Sequence, residues 1–534
     1  MKKLIALLTL SLSSGYTQAQ ITGTFKKFDP KKHDNISISV HYYSTLEREY
    51  IELKSKPDSL GNFAIELPYK NETDLCFLSI DKYLATTLVV KNGIHVTLDA
   101  RSKKKIQFLS SGKKGIFTGP DAAATNYFNN ASNVAFKGYN SKASQIGFHS
   151  KDSAHIRSAQ LAVAFAKHQE DLDQYIMKHP SQYAAIVNNE ELAHYYYHQM
   201  IINWGLPLEE VQQKKMLSYK AQHSSMWTND FYSLLYNKLY YGNNSEYNET
   251  TKSTILNSLH PDERHSFSKF FTEMIKRENK EPYDKTRYAE GKEKYIDQYS
   301  TEVYAAHLAN YIKKIKALDI ADPDRLLVAS IPETADRPTY FAETRALLDS
   351  KKSIKLYDDI AAQDEEITNR LINMLADAPE ASALGQLEAA NTSVSMYHAE
   401  HDSLDMLLNA IKNEYPNKII ILDIWGTWCG PCREDIMASK EKLQELKAND
   451  VEVVYLCEGR TSKKSTWMES VLKMKMTGTQ IFMSATLSAQ FLEQFNVTGY
   501  PSHIFIDNSG EYHTDEEHFL QKLDVEEVVK EYGN

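Results

Sequence analysis

The stretch IIILDIWGTWCGPCREDIM, residues 419–437, decides the fold of the C-terminal part of the chain. The apolar run KIIILDIW, residues 418–425, predicts a strand, and CREDIMASKEKLQELKA, residues 432–448, predicts a helix. Two cysteines with Gly430 and Pro431 between them lie where the strand gives way to the helix. Disulfide exchange needs one thiol that ionises readily and a second thiol within reach, so this pattern predicts redox chemistry.

The two cysteines are expected to have different roles. Cys429 directly precedes the predicted helix, where unpaired N–H groups and the helix dipole favour a negatively charged sulfur. Cys432 lies one turn later on the same face and can close a tight ring with it. We therefore expect Cys429 to be the exposed nucleophile and Cys432 the more buried resolving thiol, with Gly430 and Pro431 fixing the turn between them.

Two structural alternatives remain open for the same motif. A single Cys-x-x-Cys can be half of a zinc site, which needs a second pair of ligands at suitable spacing. Cys457 stands alone, and no nearby Cys or His pair completes a set of four ligands. A purely structural disulfide is the other alternative, because an oxidising compartment would form one.

The N-terminus predicts export. Lys2 and Lys3 form a positive segment, Leu4 to Leu12 form a short apolar run, and small residues lead to a cleavage site after Ala19. Residues 1–19 are thus predicted to be a signal peptide, and the mature protein is expected in the periplasm or cell envelope. No later stretch reaches the roughly 18 apolar residues of a membrane span, so no transmembrane anchor is expected in the mature chain.

Composition narrows the classes of function. The 534 residues carry a formal net charge of -10 and no long basic block interleaved with aromatic residues, which argues against a nucleic acid partner. The four cysteines are too few for a disulfide-built scaffold. Cys76 and Cys457 lie on apolar runs and are expected to be inert core thiols, although a bridge between them stays open.

The pattern along the chain predicts a multidomain protein. Residues 20–118 hold short β-rich runs separated by turn signals, typical of a small antiparallel β-domain that resembles a sandwich. Residues 119–394 space apolar residues at three and four, which predicts a mostly α-helical region. Residues 395–534 alternate strands with helices and predict an α/β sheet.

One segment of the helical region could hold a metal. The run EELAHYYYHQM, residues 190–200, places Glu191, His194 and His198 at helical spacings that could face one ion. No second set of ligands is visible. An aromatic-rich core or a groove-facing helix is the favoured interpretation.

The motif residues also resemble a known family. WCGPC is similar to the thioredoxin active site, and DIWGTWCGPCRED resembles the exported TlpA/ResA-like branch of the thioredoxin fold. The resemblance implies that Asp423, six residues before Cys429, assists proton transfer with the second cysteine, and that Trp428 flanks the nucleophile. In VTGYPSHIFID, residues 497–507, it implies that Pro501 is a cis-proline and that the backbone of Tyr500 faces the substrate.

The resemblance covers about the last 140 residues and has one departure. The family usually carries a proline five residues after the second cysteine, where this chain has Met437. The β-then-helical layout ahead of the motif also resembles multidomain exported thioredoxin-like proteins of Bacteroidetes. The resemblance implies a C-terminal thioredoxin fold.

Together these observations predict an exported thiol–disulfide oxidoreductase. It is expected to reduce disulfides of protein substrates, to use no cofactor beyond its own redox-active disulfide, and to depend on a membrane electron donor. Two alternatives were weighed. The first is an envelope binding or stress-response protein whose N-terminal domains recognise a partner. The second is a peroxiredoxin-like peroxidase, which normally lacks this Cys-x-x-Cys arrangement.

Overall fold

The computed structural model separates the chain into two compact units. We call Met1–Ile331 with Ala342–Tyr357 the N-terminal unit, and Pro332–Phe341 with Asp358–Asn534 the C-terminal unit. The predicted signal peptide, residues 1–19, lies outside the described residues. The structure describes residues 20–33, 35–45, 49–67, 73–102, 106–107, 116–136, 139–204, 206, 208–242, 244–332, 336–376, 382–390, 393–399, 401, 403–514 and 519–533.

The N-terminal unit begins with two β-sheets, ordered β4-β1-β7-β9 and β3-β2-β5-β6-β8. Neighbouring strands are antiparallel except for the parallel pairs β1–β7 and β6–β8. Inward-facing side chains of both sheets form one core cluster, so the predicted sandwich-like β-domain is confirmed. The strands are β1 (Gln20–Lys26), β2 (Ile38–Ser44), β3 (Glu49–Ser55), β4 (Asn62–Glu66), β5 (Asp74–Ile80), β6 (Leu84–Val90), β7 (Ile94–Asp99), β8 (Ile106–Gln107) and β9 (Phe117–Thr118).

The middle of the chain is helical, as its apolar spacing predicted. Short 3₁₀ and π turns join several helices, and the Asp-Pro pair at 322–323 begins one, where the Asp322 carboxylate accepts the backbone N–H of Arg325. The helices are α1 (Pro30–His33), α2 (Ala122–Phe136), α3 (Tyr139–Ser144), α4 (Ala154–Lys178), α5 (Ala184–Ile202), α6 (Glu210–Leu217), α7 (Met226–Tyr241), α8 (Asn244–Ser258), α9 (Arg264–Glu278), α10 (Lys285–Gly291), α11 (Ser300–Ala317), α12 (Pro323–Ala329), α13 (Arg337–Thr344) and α14 (Lys351–Ala376).

The C-terminal unit is built on a mixed seven-stranded sheet ordered β10-β11-β14-β13-β12-β15-β16. Strands β11 to β14 run parallel to one another, and the two strands at each edge pair antiparallel. Its elements are β10 (Gln386–Ala390), β11 (Val394–Ala399), α15 (Leu404–Glu414), β12 (Ile419–Trp425), α16 (Gly430–Ala438), α17 (Lys440–Ala448), β13 (Val451–Cys457), α18 (Lys464–Lys473), β14 (Gly478–Met483), α19 (Ala485–Gln494), β15 (Ser502–Ile506), β16 (Tyr512–Thr514) and α20 (Val525–Tyr532).

The central strand β12 is buried along its whole length. Ile419, Ile421 and Trp425 point into one core cluster of the unit, whereas Ile420 and Ile424 point into the other. A strand covered on both faces by helices reads as a nearly continuous apolar run, which explains its sequence. The lone carboxylate on this strand, Asp423, is therefore placed inside the fold.

One helix differs from the sequence expectation. The predicted single helix over 432–448 is broken at Ser439, whose hydroxyl donates to the Asp435 carbonyl at 2.7 Å. The break lies two residues after Met437, the position where the family usually carries a proline. The last sheet begins at Gln386, before residue 395. The predicted division at residues 118 and 394 stays a prediction. Within the described ranges, no helix is both long and apolar enough to cross a membrane.

Candidate active site

Cys429 and Cys432 form a disulfide at the start of α16. Cys429 is the residue that caps this helix, and its Sγ accepts the backbone N–H of Cys432 at 3.2 Å. Pro431 occupies the first turn, where its missing N–H costs nothing. The first sulfur thus lies at a helix N-terminus, the position that stabilises negative charge.

Cys429 is more buried than expected, whereas Cys432 is buried as predicted. Cys429 is 3% exposed and Cys432 is 1% exposed, and both belong to the core cluster that contains Trp425 and Ile436. The expectation that Cys429 is exposed is therefore wrong for the disulfide form. Its neighbours Gly430 and Trp428 are exposed, and a Cβ added at Gly430 would meet no atom within 4 Å. Open space thus lies directly beside the disulfide.

Trp428 and the 500–501 loop border this space. The indole of Trp428 is 52% exposed, and its ring packs edge-on against Tyr500 with 5.4 Å between centroids. The peptide bond between Tyr500 and Pro501 is cis, as the motif predicted. Four residues predicted from the sequence therefore lie next to the cysteines in the chain or belong to the loop that contacts Trp428. They are Trp428, Gly430, Tyr500 and Pro501.

A buried carboxylate that the sequence analysis missed holds Trp428. Glu458, one residue past β13, accepts the indole N–H of Trp428 at 3.0 Å and the backbone N–H groups of Arg460 and Thr461 at 3.1 and 3.2 Å. Burial raises the pKa of Glu458, but hydrogen bonds from Thr461 and Trp428 outweigh burial and leave the pKa lowered. The charged carboxylate therefore fixes the orientation of the tryptophan.

Asp423 lies inside the sheet next to a histidine. It is 1% exposed on β12, directly opposite His503 on β15, and its Oδ1 lies 3.7 Å from Nε2 of His503. Within the described part of the chain, Oδ1 of Asp423 accepts no hydrogen bond. A buried carboxylate with an unused acceptor atom can take and return a proton, which is the role that the thioredoxin resemblance implies.

A second buried acid, Asp435, lies on α16 one turn after Cys432. Its carboxylate accepts the backbone N–H groups of Leu520 and Gln521 at 2.7 and 3.1 Å. Burial is the main cause that raises the pKa of Asp435, and the nearby Asp423 charge adds to the rise. Asp423, His503 and Asp435 therefore interact electrostatically behind the cysteine pair, and only Asp423 was predicted.

The other predicted candidates are not brought together as sites. In α5, the Glu191 carboxylate bonds Nε2 of His168 at 3.1 Å, and Nδ1 of His198 bonds the His194 carbonyl of its own helix. Aromatic rings pack around these histidines, which favours the aromatic-core interpretation over the metal site. Among the described residues, one group of metal-binding side chains has its ligand atoms together, namely Asp507, Glu511 and His513.

The two remaining cysteines carry free, buried thiols. Burial is the main cause that raises the pKa of both Cys76 and Cys457. The bridge between them that the sequence left open is not formed. A buried thiol with a raised pKa is a poor nucleophile, so both behave as core residues, as predicted.

A known family matches the part of the chain that contains the site. Residues 407–528 match the Redoxin family model, and no curated protein matches the chain. Similar solved structures include the thioredoxin domain of a thiol-disulfide oxidoreductase from Bacteroides vulgatus (18% identity, 23% of this chain and 84% of that chain, TM-score 0.20), a thiol:disulfide interchange protein from Bacteroides sp. (18%, 23% and 78%, 0.20), and a thioredoxin family thiol:disulfide interchange protein from Chlorobium tepidum (18%, 23% and 85%, 0.20).

The Redoxin match falls on the part of the chain that carries the cysteine motif, its helix and the cis-proline loop. The mixed sheet around that motif has helices on its two faces and a central strand that leads into the first cysteine. Residues 407–528 therefore form a thioredoxin-like oxidoreductase domain that matches the Redoxin family model, which confirms the predicted resemblance to the thioredoxin fold.

Proposed function

We propose that the protein is an exported thiol–disulfide oxidoreductase that reduces disulfides of protein substrates by cycling Cys429 and Cys432 between dithiol and disulfide. One observation carries the proposal: the Cys429 sulfur caps α16 and accepts the Cys432 N–H at 3.2 Å. This environment favours the thiolate, which is the attacking species. The exposed Trp428 and Gly430 leave room for a partner chain beside it.

The reaction proceeds in two exchanges. The Cys429 thiolate attacks one sulfur of the substrate disulfide, which forms a mixed disulfide and releases the other substrate sulfur as a thiolate that takes up a proton. Cys432 then gives up its proton and its thiolate attacks Cys429 Sγ, which releases the second substrate sulfur as a thiolate that takes up a proton from water. The substrate gains two electrons from the enzyme, and the enzyme is left with the Cys429–Cys432 disulfide.

We assign Asp423 as the group that accepts the proton of Cys432. The carboxylate is buried, lies on the strand that leads into the motif, and keeps one oxygen without a hydrogen bond among the described residues. It can accept the proton as Cys432 attacks and return it when the dithiol is regenerated. The backbone at Tyr500 and Pro501, beside Trp428, is assigned as the segment that holds the substrate chain.

The proposed direction of electron transfer and the proposed cellular location are supported by the sequence. A Gly-Pro spacer resembles reducing thioredoxins more than strong oxidants, so the enzyme is assigned as a reductase. The signal-like residues 1–19 support export to the periplasm or cell envelope. Each turnover then requires a dithiol donor on the membrane, which reduces the Cys429–Cys432 disulfide by the reverse exchange.

The test is a pair of matched cysteine variants of the full chain. Cys429→Ser should lose disulfide reduction down to background, whereas Cys432→Ser should attack once and remain bound to its substrate as a mixed disulfide. Cys457→Ala, which removes a buried thiol of the same domain, is the control and should keep the wild-type rate. Undiminished reduction by Cys429→Ser would overturn the proposal.

A further inference from the structure

A short basic loop adjoins the cysteine motif. Residues 458–463, EGRTSK, connect β13 to α18, and we call them the basic loop. The backbone N–H of Thr427 donates to the Ser462 hydroxyl at 3.1 Å, and Glu458 at the start of the loop holds the Trp428 indole. Two hydrogen bonds thus fix this loop to the residues that immediately precede Cys429.

In this region the acidic side chains are less exposed than the basic side chains that they pair with. The Glu458 side chain is 0% exposed and is saturated by hydrogen bonds, whereas the Arg460 side chain is 42% exposed with its Nε 3.4 Å from Glu458 Oε2. Lys463 and Lys464 are more exposed than their partners Asp336 and Glu388. Cationic groups therefore face solvent here, although the chain as a whole is acidic.

Arg460 also lies close to the aromatic residue of the cis-proline loop. Burial raises the pKa of Tyr500 and the Glu458 charge adds to the rise, while the positive charge of Arg460 opposes it. Tyr500 in turn packs against Trp428 with 5.4 Å between ring centroids. Arg460 therefore lies beside Glu458 and Tyr500, the two residues that contact Trp428 next to Cys429.

We propose that Arg460 makes this enzyme selective for protein substrates that carry an Asp or Glu side chain close to the attacked cysteine. The inference rests on the proposed function and names its substrate class. The guanidinium presents a planar fork of donors that matches a carboxylate, and Glu458 holds its Nε so that the group is oriented before the substrate arrives. The same fork repels a lysine or arginine at that place.

The expected preference is moderate because the pair forms at a solvent-exposed border. Exposed ion pairs of this kind change an equilibrium by about 1.5- to 5-fold. Salt screens such pairs, so the preference should shrink as the ionic strength rises.

The experiment uses three short blocked peptides that are identical except for Glu, Gln or Lys next to a single cysteine, each oxidised to its symmetric disulfide. Pre-reduced full-length protein is mixed with each peptide, and the rate of thiol release is measured in a single turnover at low ionic strength. The readout is the ratio of the Glu-peptide rate to the Lys-peptide rate, which a general loss of activity does not change. Bis(2-hydroxyethyl) disulfide is the uncharged probe.

The wild type should show a Glu-to-Lys ratio of about two to five. Arg460→Gln should bring the ratio close to one, Arg460→Glu should invert it, and Arg460→Lys should restore part of it. Lys447→Glu reverses a positive charge on the exposed face of α17, as Arg460→Glu does in the basic loop, and it should keep the wild-type ratio.

Two failures can be told apart. If the wild type reduces the uncharged probe and all peptides at equal rates, or if Arg460→Glu keeps the wild-type ratio, the selectivity is overturned and the proposed function stands. If the wild type reduces neither the probe nor any peptide, the proposed function fails and the selectivity fails with it.

Discussion

Two clusters of buried carboxylates and histidines, one in each unit, differ in what surrounds them. In the C-terminal unit, Asp423 and His503 lie opposite each other on neighbouring strands, and Asp435 lies on α16, the helix that begins at the disulfide. In the N-terminal unit, His168 and Glu191 bond each other at 3.1 Å among aromatic rings. The first cluster thus shares a helix with the redox-active cysteines, whereas the second packs against aromatic side chains.

Aromatic side chains pack around the histidine cluster of the N-terminal unit. Tyr139 stacks on His168 with 4.6 Å between centroids, and Trp227 covers His194 at 4.2 Å. Burial is the main cause that lowers the pKa of both His194 and His198, so these rings stay neutral near neutral pH. Neutral imidazoles packed in this way act as aromatic core residues.

The comparison shows that burial of titratable groups alone does not mark a functional site. Perturbed groups indicate chemistry when they lie next to a nucleophile that a partner can approach. Elsewhere the same residue types satisfy one another and specify packing. The following substitutions separate these two roles.

The largest effect is expected at the redox site from Asp423→Asn. The amide cannot accept the Cys432 proton, so release of the substrate from the mixed disulfide should slow by about 10²-fold at neutral pH. Single-turnover reduction of a disulfide substrate, with acid quenching to trap the mixed disulfide, measures this step. Asp405→Asn, on the exposed face of α15, is the matched control. An unchanged release rate would remove Asp423 from the mechanism.

A smaller effect of a different kind is expected from Glu191→Ala in the histidine cluster. The change leaves Nε2 of the buried His168 without its partner, which should lower the free energy of unfolding by about 1–3 kcal/mol. The rate of disulfide reduction should stay at the wild-type value, whereas Glu191→Gln should keep most of the stability. Urea unfolding and the reduction assay check both results. A slowed reduction at full stability would give this cluster a role in the chemistry.

The smallest effect is expected from Asp230, a half-buried carboxyl of the N-terminal unit. Burial raises its pKa from 3.8 to about 6, and the bond from the Tyr50 hydroxyl opposes the rise. The folded state therefore holds the proton more tightly, so the stabilising contribution is present below pH 3.8 and is lost as the pH rises through about 6.

Unfolding of the wild type and of Asp230→Asn between pH 4 and 7 measures this contribution. The stability of the wild type relative to the variant should fall by about 1 kcal/mol as the pH rises over that interval, because solvent screens part of the effect at a half-buried carboxyl. A difference that does not vary with pH would show that Asp230 titrates normally.

Local sequence patterns predicted much of the fold and the centre of the site. The apolar run of β12 and the helix start after Cys429 are encoded by neighbouring residues. The cis peptide before Pro501 was expected from the resemblance to thioredoxins, because an X-Pro pair permits cis without predicting it. The alternating and three-four spacings likewise predicted the β-domain and the helical region.

The surroundings of the disulfide could not be predicted in the same way, because they depend on strand register. His503 faces Asp423 only because β12 and β15 pair antiparallel in one register. Glu458 reaches Trp428 because parallel β12 and β13 end side by side, with Trp425 opposite Cys457. Apolar spacing does not specify such pairings between distant segments. The burial of Cys429 has the same origin, since its neighbours come from several elements.

The most direct test of the account is the alkylation of the reduced, folded chain by iodoacetamide as a function of pH. Cys429 should be modified before Cys432, and its rate should reach half of its maximum below pH 8.5, the pKa of a free cysteine. Modification of Cys432 first, or no modification of Cys429 while the chain stays folded, would contradict it.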